Sequence, residues 1–264
     1  MIKPLALVLK GDGINCDNET AWGLELAGFE ARALHVSSFI ENQVELKEAK
    51  LLALPGGFSF GDEIASGKVL ALKLRERVME GLYRFIGDGN LVIGICNGFQ
   101  VLTQLGILPR SNPKARRFVT LTKNSHGHFK DRWVDLDVDD SGIERGGGFF
   151  TGLKAIELPI RHGEGRLVVE SAELQNEVKA CAPLRYREDV NGSFDRIAAL
   201  TNAEGNVLGL MPHPEAFVRW TQHPSWTTLK LDRPELASTV NPLDLPPADR
   251  PQGFTILRNA YEMV

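Results

Sequence analysis

Along the first hundred residues, short continuous apolar runs alternate with stretches whose apolar positions recur every three or four residues. Residues 5–9 (Leu-Ala-Leu-Val-Leu) are apolar without a break, the pattern of a strand covered on both faces. Asn18 is then a candidate cap for a helix carrying Trp22 and Leu26 on one face, with Gly28 at its end. Residues 31–36 and 50–54 predict a second and a third strand. Residues 69–86 predict one longer helix, because Leu74, Val78, Leu82 and Ile86 stand at i+4 steps. Residues 91–95 read as another buried strand. Residues 97–105 follow at once as a helix with Phe99, Leu102 and Leu105 inward, Gly106 at its end and Pro109 beyond. Strand and helix in this rhythm predict an α/β fold: a mostly parallel central sheet flanked by helices.

The rhythm then changes. Residues 118–122, 132–138 and 156–160 look like strands with no crossover helices between them. Residues 197–201 and 207–211 flank Asn202-Ala203-Glu204-Gly205-Asn206, a hairpin turn. The second half therefore adds antiparallel strands. Residues 222–252 hold six of the fourteen prolines and little periodicity, so they read as a long loop. Phe254, Leu257 and Tyr261 mark one face of a terminal helix. The expected organisation is one domain over residues 1–221, with the proline-rich loop and terminal helix of residues 222–264 packed on it.

Composition narrows the class of function. The chain has 264 residues, 43% hydrophobic and 24% charged, enough to bury a full core without disulfides or metals. A net charge of -4 argues against sequence-independent nucleic-acid binding. No apolar run approaches the roughly 18 residues of a membrane helix. The first residues lack the apolar segment and cleavage site of a secretory signal. With three cysteines, at 16, 96 and 181, and no CxxC, a reducing cytoplasm is the expected compartment.

The most informative segment is Gly94-Ile95-Cys96-Asn97-Gly98. It has the form of a nucleophile elbow, G-x-S-x-G, with cysteine for serine, placed where a buried strand meets a helix. Glycines are needed there because neighbouring side chains would strike the sheet, and a helix N-terminus favours the thiolate. The plain alternative is a buried structural cysteine between turn glycines. Cys16 and Cys181 lack such a context and read as structural. A cysteine nucleophile needs a base and a group to orient it. Met211-Pro212-His213-Pro214-Glu215 offers both, since His213 and Glu215 project to one side if the backbone is extended. Leu54-Pro55-Gly56-Gly57-Phe58 supplies a tight turn whose backbone can approach an oxyanion. The N–H groups of Gly57 and Asn97 are the candidate donors.

These three elements together resemble the class I (triad) glutamine amidotransferases. That pattern stands here as Pro55-Gly56-Gly57, Cys96-Asn97-Gly98-Phe99-Gln100 and His213-Pro214-Glu215. Asn15-Cys16-Asp17, Ser59-Phe60-Gly61-Asp62 and His162-Gly163-Glu164-Gly165-Arg166 extend the similarity. They make it narrower, to the glutaminase subunits of phosphoribosylformylglycinamidine synthases, over roughly residues 3–220. The resemblance implies hydrolysis of glutamine to glutamate and ammonia, which a separate large ATP-dependent synthetase uses to amidate formylglycinamide ribonucleotide, often with a small bridging subunit. It implies Cys96 as nucleophile, His213 as base, Glu215 as its orienter, and Gln100 as a contact to glutamine. ATP and Mg are then expected on the synthetase and no cofactor or metal in this chain. The HGEGR segment is expected near the site or a subunit interface. Two departures follow Glu215: Ala216 stands where the pattern has arginine, and residues 222–252 have no counterpart. The alternative is a stand-alone cysteine hydrolase of small amides or esters on the same fold.

Other signals carry less. The acidic run 135–142 misplaces its glycine for a calcium loop and alternates like a strand. His126-x-His128 lacks a second ligand pair at zinc spacing. Gly146-Gly147-Gly148 has no following lysine and is not a phosphate loop.

Overall fold

The structure, a computed structural model, describes residues 2–114, 116–139 and 148–264. Part of the acidic run (140–142) and Gly146 and Gly147 lie outside these residues. Five strands pair in parallel: β1 (Leu5–Lys10), β2 (Glu30–His35), β3 (Ala49–Leu54), β4 (Leu91–Ile95) and β11 (Val207–Leu210). Four more join by antiparallel pairing: β6 (Lys130–Val138), β7 (Ala155–His162), β9 (Leu184–Tyr186) and β10 (Ile197–Thr201). The nine-stranded sheet runs β2-β1-β3-β4-β11-β10-β9-β6-β7. A separate antiparallel pair is formed by β5 (Val119–Thr122) and β8 (Arg166–Val169). The α/β fold with added antiparallel strands is thus the observed architecture. β4, β10 and β11 are buried throughout, as continuous apolar runs require when helices cover both faces. On β6 the burial alternates, so Val134 and Leu136 face the core while Asp135 and Asp137 face out toward Arg187.

The helices of the first half differ from the sequence reading in three places. Helix α1 (Asp17–Ala27) has Cys16 rather than Asn18 at its N-cap, with no side-chain cap. Thr20, Gly23, Leu24 and Ala27 form its buried face, and Trp22 is only half-buried. Between them, short helices α2 (Val36–Glu41) and α3 (Val44–Glu48) fill the connection to β3. The long helix expected over 69–86 is two, α4 (Lys68–Arg77) and α5 (Met79–Gly87). The break falls where the side-chain amide of Gln43 donates to the Arg77 carbonyl at 2.8 Å. An unbroken helix would use that oxygen for its own i+4 bond. Leu74, Val78, Leu82 and Ile86 are nonetheless all buried. Helix α6 (Asn97–Leu105) has the predicted bounds and ends at Gly106 with φ 78°.

The expected loop over 222–252 is not structureless. After the short α7 (Gln175–Ala180) and the β10–β11 hairpin, it holds α8 (Trp226–Asp232) and α9 (Pro234–Ser238). Single 3-10 turns follow at Pro242–Asp244 and Pro247–Asp249. Pro234, Pro242 and Pro247 each open their turn, the position where a missing N–H and a fixed φ suit a helix. The terminal helix α10 (Gln252–Glu262) buries Phe254, Ile256, Leu257 and Ala260. Its Arg258 donates to the carbonyl of Ala27 at the end of α1. Its Phe254 N–H donates to Phe217 O at 3.0 Å.

Candidate active site

The carboxyl ends of β1, β3, β4 and β11 open on one edge of the sheet, where open α/β folds bind their ligands. β4 leads into Cys96, which sits at φ 51° and ψ -103° before α6. A non-glycine residue held there is strained, and the packing around it must fix the turn. Gly98 is required because a Cβ on it would lie 1.9 Å from the Leu54 carbonyl oxygen. Cys96 is 5% exposed, and its thiol donates to the carbonyl of Arg161 on β7 at 3.6 Å.

β11 leads into His213, whose backbone N–H donates to Pro159 O on β7 at 2.9 Å. His213 is extended, but Glu215 lies in a 3-10 turn, Pro214–Ala216. That turn, rather than an extended run, brings His213 Nδ1 within 2.6 Å of Glu215 Oε1. The two side chains are 2% and 0% exposed. Burial works against the imidazolium. The Glu215 carboxylate and Cys96 outweigh it, and they hold His213 well above its ordinary 6.5. Nε2, the nitrogen left free by Glu215, is buried without a partner.

β3 leads into the Gly56-Gly57 turn. Gly57 has φ 141°, and a Cβ there would meet Gly13 O at 2.5 Å. The segment after β1 braces this turn. The N–H groups of Asn15 and Cys16 donate to Gly56 O at 3.3 and 3.2 Å, and Phe58 N–H donates to Gly13 O at 2.7 Å. These bonds leave the N–H of Gly57, like that of Asn97 at the start of α6, without a backbone acceptor.

Two residues at the site escaped the sequence reading. Cys16, read as structural, is instead against the base: its sulfur, a His213 nitrogen and a Glu215 oxygen lie within 4.8 Å of one another. Burial pushes its thiol up from the ordinary range, so it stays protonated. These are metal-ligating types, but Nδ1 is committed to Glu215 and the Arg161 cation stands 3.3 Å from it, which opposes a second cation. Arg161 is the other residue, and its NH2 also lies 3.8 Å from Glu215 Oε1. Cys181 is buried in the loop after α7 and lines neither active-site hollow.

Gln100 lies on the wall, but both ends of its amide are engaged. Its Oε1 accepts from Asn97 Nδ2 at 2.9 Å, and its Nε2 donates to Glu164 O at 2.6 Å. It therefore ties the elbow to the HGEGR segment, which the structure brings to the site. Glu164 Oε2 accepts from Ser66 N–H at 3.2 Å. His162 pairs with Asn124 Oδ1 at 3.1 Å, and burial lowers its pKa to about 4. Two adjoining hollows of about 140 and 110 Å³ share Gly57, Phe58, Cys96, Phe129 and Arg161. A larger hollow of about 650 Å³, beside Gln104–Gly106, contains none of these groups. The His126 and His128 rings stack at 6.1 Å, and the described residues bring no third ligand to them.

Comparison with known proteins identifies the family of the chain. Residues 3–241 match the family described as CobB/CobQ-like glutamine amidotransferase domain. The phosphoribosylformylglycinamidine synthase subunit PurQ of Dehalococcoides mccartyi is 37% identical over 235 residues, covering 86% of this chain and 90% of that one. The same subunit of Thermotoga maritima is 40% identical over 217 residues, 82% of this chain and 90% of that one. Among solved structures, PurLQS from Thermotoga maritima aligns with TM-score 0.68 and 36% identity, over 85% of this chain and 94% of that chain. A glutamine amidotransferase from Thermotoga maritima aligns with TM-score 0.55 at 14% identity, over 99% and 98% of the two chains, a likeness of fold alone. The chain belongs to the CobB/CobQ-like glutamine amidotransferases, within the family of phosphoribosylformylglycinamidine synthase subunit PurQ.

Proposed function

We propose that this chain is the glutaminase of a phosphoribosylformylglycinamidine synthase and that Cys96, His213 and Glu215 are its triad. The observation that carries the reading is the buried 2.6 Å contact of His213 to Glu215, set beside a cysteine held in a strained elbow. Cys96 passes its thiol proton to His213 Nε2, and the resulting thiolate attacks the side-chain carbonyl carbon of glutamine. The oxyanion that forms is met by the N–H groups of Gly57 and Asn97. His213 gives its proton to the departing ammonia, leaving a thioester on Cys96. Neutral His213 then takes a proton from water, which attacks the thioester and releases glutamate. Glu215 keeps the imidazole in the tautomer whose Nε2 faces this chemistry. Gln100 serves here by shaping the glutamine pocket through Asn97 and Glu164.

The ammonia is used by a separate ATP-dependent synthetase, which supplies the nucleotide and Mg chemistry, with a small bridging subunit as the third component. An apolar rim supports docking at the mouth. Phe58 and Phe129 line it and are 45% and 52% exposed. The cytoplasm is the proposed location: the three cysteines, at 16, 96 and 181, offer no CxxC pair, and among the described residues no helix is long and apolar enough to cross a membrane. A glutamine analogue with an electrophilic side chain tests the nucleophile. Mass spectrometry of the intact chain should show one adduct, mapped to Cys96. An adduct on Cys16 or spread over all three thiols would sink the assignment.

A further inference from the structure

The triad alone leaves one charge without a permanent partner. Glu215 is wholly buried, and a buried carboxylate is costly unless it is paired. His213 balances it only while protonated, yet the reaction returns His213 to its neutral form in every turnover. A permanent cation stands beside the pair. Arg161 NH2 is 3.8 Å from Glu215 Oε1 and 3.3 Å from His213 Nδ1. Nδ1 already gives its hydrogen to Glu215, so the approach of Arg161 to the ring is electrostatic. Arg161 Nε and Glu215 Oε2 are both buried and without a hydrogen-bond partner. β7 holds the arginine in register with the site, through Pro159 O to the His213 backbone and through the Arg161 carbonyl to the Cys96 thiol.

We propose that Arg161 is a positioning residue for glutamine hydrolysis: its guanidinium balances the Glu215 carboxylate and leaves His213 free to release its proton between the two half-reactions. The other titratable groups facing His213 do not supply that charge. Cysteine side chains such as Cys16 and Cys96 carry no positive charge in either protonation state, and His162, kept neutral by burial, carries none near pH 7. The inference rests on the triad assigned above.

The test is the pH dependence of glutamine hydrolysis by this chain assembled with its synthetase, comparing Arg161→Met with Arg161→Lys. Removing a positive charge beside the imidazole favours its protonated form. The acid limb of kcat should therefore move up by about one pH unit in Arg161→Met. Activity should fall about tenfold on that limb and recover at high pH, with KM for glutamine changed less than about twofold. Arg161→Lys should restore most of the profile. An unmoved limb in Arg161→Met would overturn the proposal. So would a raised KM with the limb in place, which would make Arg161 a ligand of the glutamine carboxylate. If Arg161→Met does not fold, Arg161→Gln against Arg161→Lys makes the same comparison of charge removed and charge kept. Cys96→Ala in the same assay separates the two claims, since retained hydrolysis there overturns the triad itself.

Discussion

His213 carries the proton traffic of the proposed reaction, and Glu215 only directs it. His213→Ala should lower kcat by about 10² to 10⁴. Glu215→Gln keeps a misdirected imidazole and should be the milder lesion. Initial rates at saturating glutamine check the order, and equal, negligible effects would place the base elsewhere. His162 has a different consequence, in stability. Its folded pKa of about 4 lies below the ordinary 6.5, so the unfolded chain binds the proton more tightly. The folded state is therefore favoured fully above about pH 6.5 and loses that advantage as pH falls toward 4, by about 3 kcal/mol. Denaturant unfolding of His162→Gln should show a flatter acid slope than the parent chain. The residues of the proposed triad were legible in the sequence because an elbow and a His-x-Glu turn are local patterns. Cys16 and Arg161 were not. Each reaches the site from another strand end; the motifs beside them, Asn15-Cys16-Asp17 and His162-Gly163-Glu164-Gly165-Arg166, marked the neighbourhood but gave neither side chain a place against His213.

At the scale of elements, the site is a meeting of four loops that brace one another. The segment after β1 holds the Gly56-Gly57 turn by three backbone bonds, and Cys16 in that segment touches the base. Gly57→Ala would force a Cβ to 2.5 Å from Gly13 O and turn the Gly57 N–H away. Loss of one oxyanion donor should cost about 10² to 10³ in kcat, with KM moved far less; a steady-state comparison of the two constants checks this. β4, α6 and the hairpin of β10 and β11 were readable from periodicity and turn residues. The break at Val78 was not, because a side chain from a distant loop, Gln43, causes it. The tract after residue 222 misled for a related reason. Its prolines suggested loop, yet in α9 and the two 3-10 turns proline occupies the first helical position.

At the scale of the molecule, the sheet divides the work. Its parallel half carries the catalytic loops, while antiparallel β7 brings Arg161 and His162 in from the other half. The exposed apolar residues Phe58 and Phe129 line the mouth of the site. Coupling to a synthetase is favoured if the chain alone turns glutamine over slowly, with the partner completing the oxyanion turn. The most direct test of the account uses Cys96→Ala assembled with the synthetase, measuring amidine formation from formylglycinamide ribonucleotide with glutamine and, separately, with ammonium. Glutamine-dependent formation should be abolished while ammonium-dependent formation stays close to that of the parent complex. Glutamine-dependent formation that survives in Cys96→Ala would contradict the account.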